Sequence, residues 1–281
     1  MIERELACLG PHGFHRLAYL DWPGPAREAP VLLCVHGLTR NGRDFDTIAR
    51  ALSKHYRVVC PDMPGRGKSE WLSDPADYTT PVYLADLAAL IARLDVARVD
   101  WLGTSMGGNL GMLFASMPGA PIRKLVMNDI GAVIPKAGLE RIALYVGLDP
   151  SFADLAAFET ALRIVHAPFG PLSDAQWRQL AAHSARRKPD GSIGSNYDPT
   201  IAQSFKQGPV VDIDLWQSWD KIACPVLVLR GAESDILAKR DAEAMTQRGP
   251  RATLLEFAGI GHAPALVAED QIAAIRDFLL G

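Results

Sequence analysis

The sequence is poor in the features that mark specialised chains: four cysteines in 281 residues, 7% aromatic residues, and no uncharged stretch near the ~18 residues that a membrane span requires. It also has no internal repeat, no low-complexity segment and no block of one charge sign, which excludes collagen, coiled-coil and disordered architectures. Its 29 basic and 32 acidic side chains leave a net charge of −3 and a pI near 6.2, so no electrostatic feature calls for nucleic acid or an anionic membrane. There is no CxxC pair and no Cys/His cluster at metal-ligand spacing, so neither a metal nor a cofactor is expected. Cys34, Cys60 and Cys224 lie in or beside apolar runs and read as reduced, packed thiols, whereas Cys8 carries no signal. The first six residues lack a basic segment followed by an apolar run, which predicts a cytoplasmic protein. Oligomeric state is not written in the sequence.

What is present is an ordinary globular composition, 48% hydrophobic and 22% charged, arranged as short apolar runs alternating with helix-like segments. The runs fall at 15–20, 31–35, 57–60, 99–102, 124–127, 225–229 and 252–257. Most are apolar at successive positions, as strands covered on both faces must be. Helical spacing recurs at 45–55, 83–94, 106–117 and 269–280, so the pattern predicts a doubly wound, mostly parallel α/β sheet. From 134 to 218 the strand signal gives way to helical patterns at 139–146, 152–166 and 175–186, punctuated by Pro150, Pro168 and Pro171. This predicts a core of residues 1–133 and 219–281 with an inserted helical cap, 134–218. The basic stretch 186–199 reads as a solvated surface loop of that insert.

The chemistry is concentrated in Gly103-Thr104-Ser105-Met106-Gly107-Gly108, which follows one apolar run and opens a helical segment. A sharp strand-to-helix turn places its central residue in a strained conformation that needs small neighbours, here Gly103 and Gly107. Ser105 is therefore the candidate nucleophile. A serine hydroxyl needs a base, and His262 stands in a glycine-flanked loop directly after the run 252–257. The imidazole needs a carboxylate to fix its tautomer, and Asp235, six residues past the run 225–229, is the expected acid, with Glu233 two residues away. The oxyanion hole is expected from the backbone N–H groups of Met106 and Leu38, the latter in the loop His36-Gly37-Leu38-Thr39 after the run 31–35, with His36 and Gly37 shaping that loop.

Four motifs in order, Val35-His36-Gly37, the stretch from Asp62 to Ser69, the serine turn and Gly261-His262, resemble those of the α/β-hydrolase superfamily, over essentially the whole chain. The resemblance implies an eight-strand sheet with the cap between the sixth and seventh strands, and the chain order serine, acid, histidine. It also implies that Asp129, just after the run 124–127, is the other place for an acid, since some relatives carry theirs there. Asp62, Arg66 and Lys68 belong to a loop motif with an architectural role. Serine rather than aspartate at the nucleophile position argues against dehalogenase and epoxide hydrolase chemistry. The activity that the resemblance implies is hydrolysis of small to medium carboxylic esters, with a small-molecule ester substrate as the partner, through an acyl-enzyme on Ser105. The alternatives are a carbon-carbon bond hydrolase of ring-cleavage products, disfavoured by Ala263 and Pro264 after the histidine, a cofactor-free perhydrolase, or a binding protein that has lost catalysis. Trp177, Trp216 and Trp219 are candidates for lining the pocket, against the commoner role of packing.

Overall fold

The computed structural model describes residues 1–206 and 209–281; residues 207 and 208, inside the predicted cap, lie outside the described residues. The first six strands are β1 (Ile2–Gly10), β2 (Gly13–Trp22), β3 (Val31–Val35), β4 (Arg57–Pro61), β5 (Val99–Thr104) and β6 (Ile122–Asn128). Four short strands follow, β7 (Val133–Ile134), β8 (Ala185–Arg187), β9 (Ile193–Ser195) and β10 (Ile213–Asp214), before β11 (Val226–Gly231) and β12 (Thr253–Phe257) complete the main sheet. That sheet has eight strands in the order β1-β2-β4-β3-β5-β6-β11-β12, antiparallel at β1/β2 and β2/β4 and parallel thereafter. The expectation of a mostly parallel, doubly wound sheet holds.

Strand alternation divides the core between the two faces. Val31, Leu33 and Val35 of β3, with Trp101 of β5 and Met127 of β6, pack on one side against α2 (Thr80–Arg93) and α3 (Met106–Ala115). Leu32 and Cys34, with Leu102 and Val126, face the other side, against α1 (Asp46–Leu52) and α9 (Glu269–Leu280). This double coverage is why these strands read as unbroken apolar runs. β1 escaped the sequence reading for the opposite reason. It is an edge strand whose residues Ile2 to Glu5 are all exposed, and its Glu3-Arg4-Glu5 carries the charges that keep an edge from pairing with other chains.

Between β6 and β11 the chain leaves the sheet to form α4 (Lys136–Ala143), α5 (Leu155–Val165) and α6 (Asp174–Ser184), then the single turn α7 (Trp216–Trp219); α8 (Lys239–Met245) lies after β11. Asp154 caps α5 through the Ala157 N–H, and Ser173 with Gln176 forms a capping box on α6. Phe158 and Leu162 of α5, Ala181 of α6 and Ile193 form a small core of their own, separate from those of the sheet. The segment read as a basic loop is instead the β8/β9 hairpin, and two of its basic residues are occupied, because Arg186 and Lys188 both pair with Asp149.

The tryptophans take the packing role. Trp219 is fully buried in the core beneath α3 and donates its indole N–H to the Arg248 carbonyl at 2.9 Å. Trp216 is stacked by the Arg248 guanidinium, 4.3 Å from its ring centre, and Trp177 packs under Arg163. Replacing Trp219 with alanine empties a large, well-packed site and orphans a carbonyl. Trp219→Ala is expected to lower unfolding free energy by about 3–5 kcal/mol, read as a shift in urea midpoint at constant slope.

Candidate active site

The turn at Ser105 is set by close approach. Ser105 adopts φ +51° and ψ −115°, a conformation that a side-chain-bearing residue tolerates only when its surroundings hold it there. Those surroundings admit no Cβ at either neighbouring glycine. One on Gly103 would lie 2.2 Å from the Gly107 backbone, and one on Gly107 only 1.9 Å from the Val35 carbonyl oxygen. The Ser105 N–H donates to the Asn128 carbonyl at the end of β6, and its carbonyl accepts from Asn109 one turn into α3, so the serine is pinned from both sides.

His262 reaches Ser105 from the loop after β12. The Ser105 hydroxyl donates to Nε2 at 2.9 Å, and the opposite ring nitrogen, Nδ1, donates to Oδ2 of Asp129 at 2.8 Å. The acid beside the histidine is therefore Asp129, and the expectation of Asp235 is corrected. Asp235 lies at the surface, about half exposed, with its carboxylate held by Arg141 of α4 and away from His262. Asp129 directly follows β6, is fully buried and has φ +55°. Its carboxylate also accepts from the Gly231 N–H at 2.8 Å and the Ser234 hydroxyl at 2.6 Å. The loop where the acid was expected thus supplies the donors that hold the acid instead. Glu233 donates its N–H to the Ile260 carbonyl, tying the loops after β11 and β12 together.

The loop after β3 is fixed by His36. This fully buried ring accepts from the Met63 N–H at Nε2, 2.9 Å, which leaves Nδ1 to donate to the Gly37 carbonyl at 2.7 Å. Burial holds its pKa down to about 3, so it is a neutral strut and not a base. A Cβ on Gly37 would come within 3.7 Å of the Ser105 Cβ, which places this loop against the serine. Leu38 and Met106 both border the cavity that opens on Ser105, and Met106, as the first residue of α3, has an N–H without an intrahelical acceptor.

Arg66 was read as architecture, and its contacts give that role a direction. Fully buried, it donates from Nε to the Leu38 carbonyl at 2.8 Å and from one terminal nitrogen to the Pro64 carbonyl and the Tyr83 hydroxyl. Its other terminal nitrogen meets the Met106 sulfur at 3.8 Å, so one side chain touches both residues expected to form the oxyanion hole. Asp62 holds the same region by accepting from the Gly42 and Lys68 N–H groups, and burial raises its pKa to about 6.

The cavity has a volume of about 450 Å³. Its walls are Leu38, Met106, Leu110 and Ile130 of the core with Ile134, Leu139, Ile142 and Val211 of the excursion, and its polar groups include Thr79, Thr80, Tyr83, Ser105 and Asn109. Trp177, Trp216 and Trp219, the candidates for lining the pocket, are not among its lining residues and keep the commoner packing role. Asn109 was not singled out from the sequence, although its position four residues past Ser105 on a helix is a signal that two side chains share a face.

Remote from this site, Cys8, His15 and Asp86 are the group among the described residues that brings three possible metal-ligand atoms within 4.8 Å of one another. They meet because Cys8 and His15 are paired across the β1/β2 hairpin and α2 lays Asp86 over both. The imidazole and carboxylate hydrogen-bond to each other at 2.8 Å, and burial together with the Asp86 charge raises the Cys8 thiol to about 12. No helix among the described residues is long and apolar enough to cross a membrane.

A doubly wound eight-strand sheet with a serine at the β5-to-α3 turn, facing a histidine and a carboxylate, defines the hydrolase class of this architecture. The chain belongs to the alpha/beta hydrolase fold family, whose profile matches residues 30–269, and it is a hydrolase. It is similar to a 3-hydroxybutyrate-oligomer hydrolase of Cupriavidus necator, 45% identical over 98% of this chain and 96% of that protein. It is also 28% identical, over 88% of this chain and 93% of the relative, to a pimeloyl-[acyl-carrier protein] methyl ester esterase of Xanthomonas campestris. A solved alpha/beta hydrolase from Novosphingobium aromaticivorans superposes with a TM-score of 0.88 at 38% identity, covering 99% of this chain and 98% of that one.

The titrations of His36 and Asp62 have opposite signs. Because the folded pKa of His36 is depressed, its stabilising effect is complete above the unfolded value of about 6.5 and is lost as pH falls toward about 3. Asp62, with a raised folded pKa, favours the fold at low pH and loses that contribution as pH rises through about 6. Comparing wild type with His36→Asn isolates the first effect. Between pH 6.5 and 4.5 the wild type is expected to lose about 2.3 kcal/mol more than the variant, measured by urea denaturation at each pH.

Proposed function

We propose that the protein is a serine hydrolase of short oligoesters built from 3-hydroxy acids, with Ser105 as nucleophile, His262 as general base and Asp129 as orienting acid. The observation that carries this reading is the unbroken chain from the Ser105 hydroxyl through the imidazole to a buried carboxylate that accepts two further hydrogen bonds. His262 Nε2 takes the hydroxyl proton as Oγ bonds to the ester carbonyl carbon, and the Leu38 and Met106 N–H groups receive the oxyanion. Collapse breaks the carbon-oxygen ester bond and expels the alcohol, which takes the proton from His262. Water then repeats the sequence to release the acid and restore Ser105. Asp129 keeps its charge throughout, holding the proton on Nδ1 and stabilising the imidazolium.

The substrate class draws on the Cupriavidus relative, which matches this chain over nearly its whole length. A cavity of about 450 Å³ suits a substrate of a few such units and is small for a long-chain triglyceride. In this reading residues 134–218 form a cap, since Ile134, Leu139, Ile142 and Val211 close the pocket over the carboxyl ends of the strands, where ligands of open α/β sheets bind. Water excluded by that wall leaves the oxyanion donors in a medium where they act strongly.

The assignment of the acid separates this proposal from its alternative. Ser105→Ala is expected to reduce kcat/KM for a 3-hydroxybutyrate dimer by about 10⁴-fold or more, and Asp129→Asn by about 10³- to 10⁴-fold with the fold intact by circular dichroism. Asp235→Asn, which removes only a surface ion pair, should stay within about threefold of wild type. Loss of activity on changing Asp235 together with its retention on changing Asp129 would overturn the assignment.

A further inference from the structure

Antiparallel pairing sets Cys8 of β1 directly opposite His15 of β2, so both side chains leave the sheet on the same face. α2 crosses that face and lays Asp86 onto the pair, and all three residues are buried, Cys8 and Asp86 to 1% exposure. Their ligand-type atoms, Sγ, a ring nitrogen and a carboxylate oxygen, lie within 4.8 Å of one another. The imidazole and the carboxylate come from positions 71 apart in the chain, so no motif spacing marks the group.

A buried carboxylate needs a counter-charge or a full set of donors. Asp86 is half provided for. His15 Nε2 meets Oδ2 at 2.8 Å, whereas Oδ1 is buried with no hydrogen-bond partner of ordinary geometry, the Cys8 thiol beside it being a weak donor. No lysine or arginine among the described residues pairs with this carboxylate. The unmet demand is for positive charge, at the point where a sulfur, an imidazole and a carboxylate converge.

We propose that Cys8, His15 and Asp86 bind a divalent zinc ion that ties the edge hairpin to α2. This goes beyond the hydrolase reading and does not rest on it. Zinc holds thiolate, imidazole and carboxylate ligands at about 2.0–2.3 Å in a tetrahedral array, which puts neighbouring ligand atoms about 3–4 Å apart, within reach of small side-chain shifts here. The thiolate selects zinc over magnesium or calcium, which prefer oxygen ligands. On binding, the Cys8 S–H bond breaks and its proton passes to solvent as the S–Zn bond forms. His15 gives up the proton between Nε2 and Asp86 and keeps one on Nδ1. Two anionic ligands and one neutral ligand then balance the charge of the ion. His15 also borders a cavity of about 110 Å³ shared with His12, Glu70 and Asp77, which gives a cation a path in. The ion anchors the helix whose first turn carries Thr80 and Tyr83 into the wall of the substrate cavity.

The test uses the full chain, stripped of metal with a chelator and then given zinc or cobalt. Wild type is expected to bind one zinc ion per chain by native mass spectrometry, and to melt about 5 °C higher at a hundredfold excess of free zinc over its Kd. With cobalt it should show the charge-transfer absorption of a cobalt–thiolate bond. Cys8→Ser and Asp86→Asn should each weaken zinc binding by more than the about tenfold that loss of an outer partner costs, and Cys8→Ser should abolish the thiolate band. His12→Gln, which changes the exposed imidazole nearby, should alter neither. Wild type with no melting shift and no thiolate band overturns the proposal, whether or not any variant folds. It is also overturned if the band or the zinc affinity survives in folded Cys8→Ser, or if His12→Gln removes them, since the ion would then sit on the surface pair of His12 and Asp77.

Discussion

The structure depends on how closely the β5-to-α3 turn approaches its neighbours. With the Gly107 backbone against the Val35 carbonyl and Gly103 against Gly107, α3 starts directly over the ends of β3 and β5, and Ser105 has nowhere to go but outward. The same crowding brings three things together that lie far apart in sequence: the first N–H of α3, the loop carrying Leu38, and the end of β6, whose Asn128 carbonyl holds the Ser105 N–H. A single added methyl at position 107 would force β3 and α3 apart and draw Ser105 away from the loop that carries Leu38. The strain at Ser105 is sustained by this packing, so the same contacts that define the core also fix the chemistry.

Electrostatics reinforces that arrangement by keeping charge away from residues that must stay neutral. His36 is neutral by burial, and its two ring nitrogens are both committed to backbone. Arg66 is the counterexample, a fully buried cation whose hydrogen bonds go to two carbonyls, a tyrosine hydroxyl and a sulfur, with Tyr78 and Tyr83 presenting ring faces to it. Its guanidinium lies behind both Leu38 and Met106, where a positive charge favours any negative charge developing in front of them.

Much of this was legible in the sequence. The central strands announced themselves because burial on both faces removes polar residues, and the serine turn did so because its glycines have no substitute. The histidine followed from its loop. The acid was misread because sequence position locates a carboxylate at a strand end without telling which strand end it leans toward. Asp129 and Asp235 both follow sheet strands, and what decides between them is the Arg141 side chain, which neutralises Asp235 from the excursion, and the Ser234 hydroxyl, which turns back toward Asp129. β1 was missed because an edge strand is selected for charge.

The position of the acid changes what the chain can vary. In the proposed triad, with Asp129 in place of Asp235, nucleophile and acid both come from the stretch that precedes the excursion, and only His262 lies beyond it. The intervening segment, with a small core of its own around Phe158 and Leu162, is then spliced between a finished half-site and its one remaining partner. Additions and deletions in such a segment alter the walls and volume of the pocket without shifting the register between serine and carboxylate. In the proposed reading the fold is modular, with serine and acid set in one contiguous half and the choice of substrate open to revision in the segment that follows.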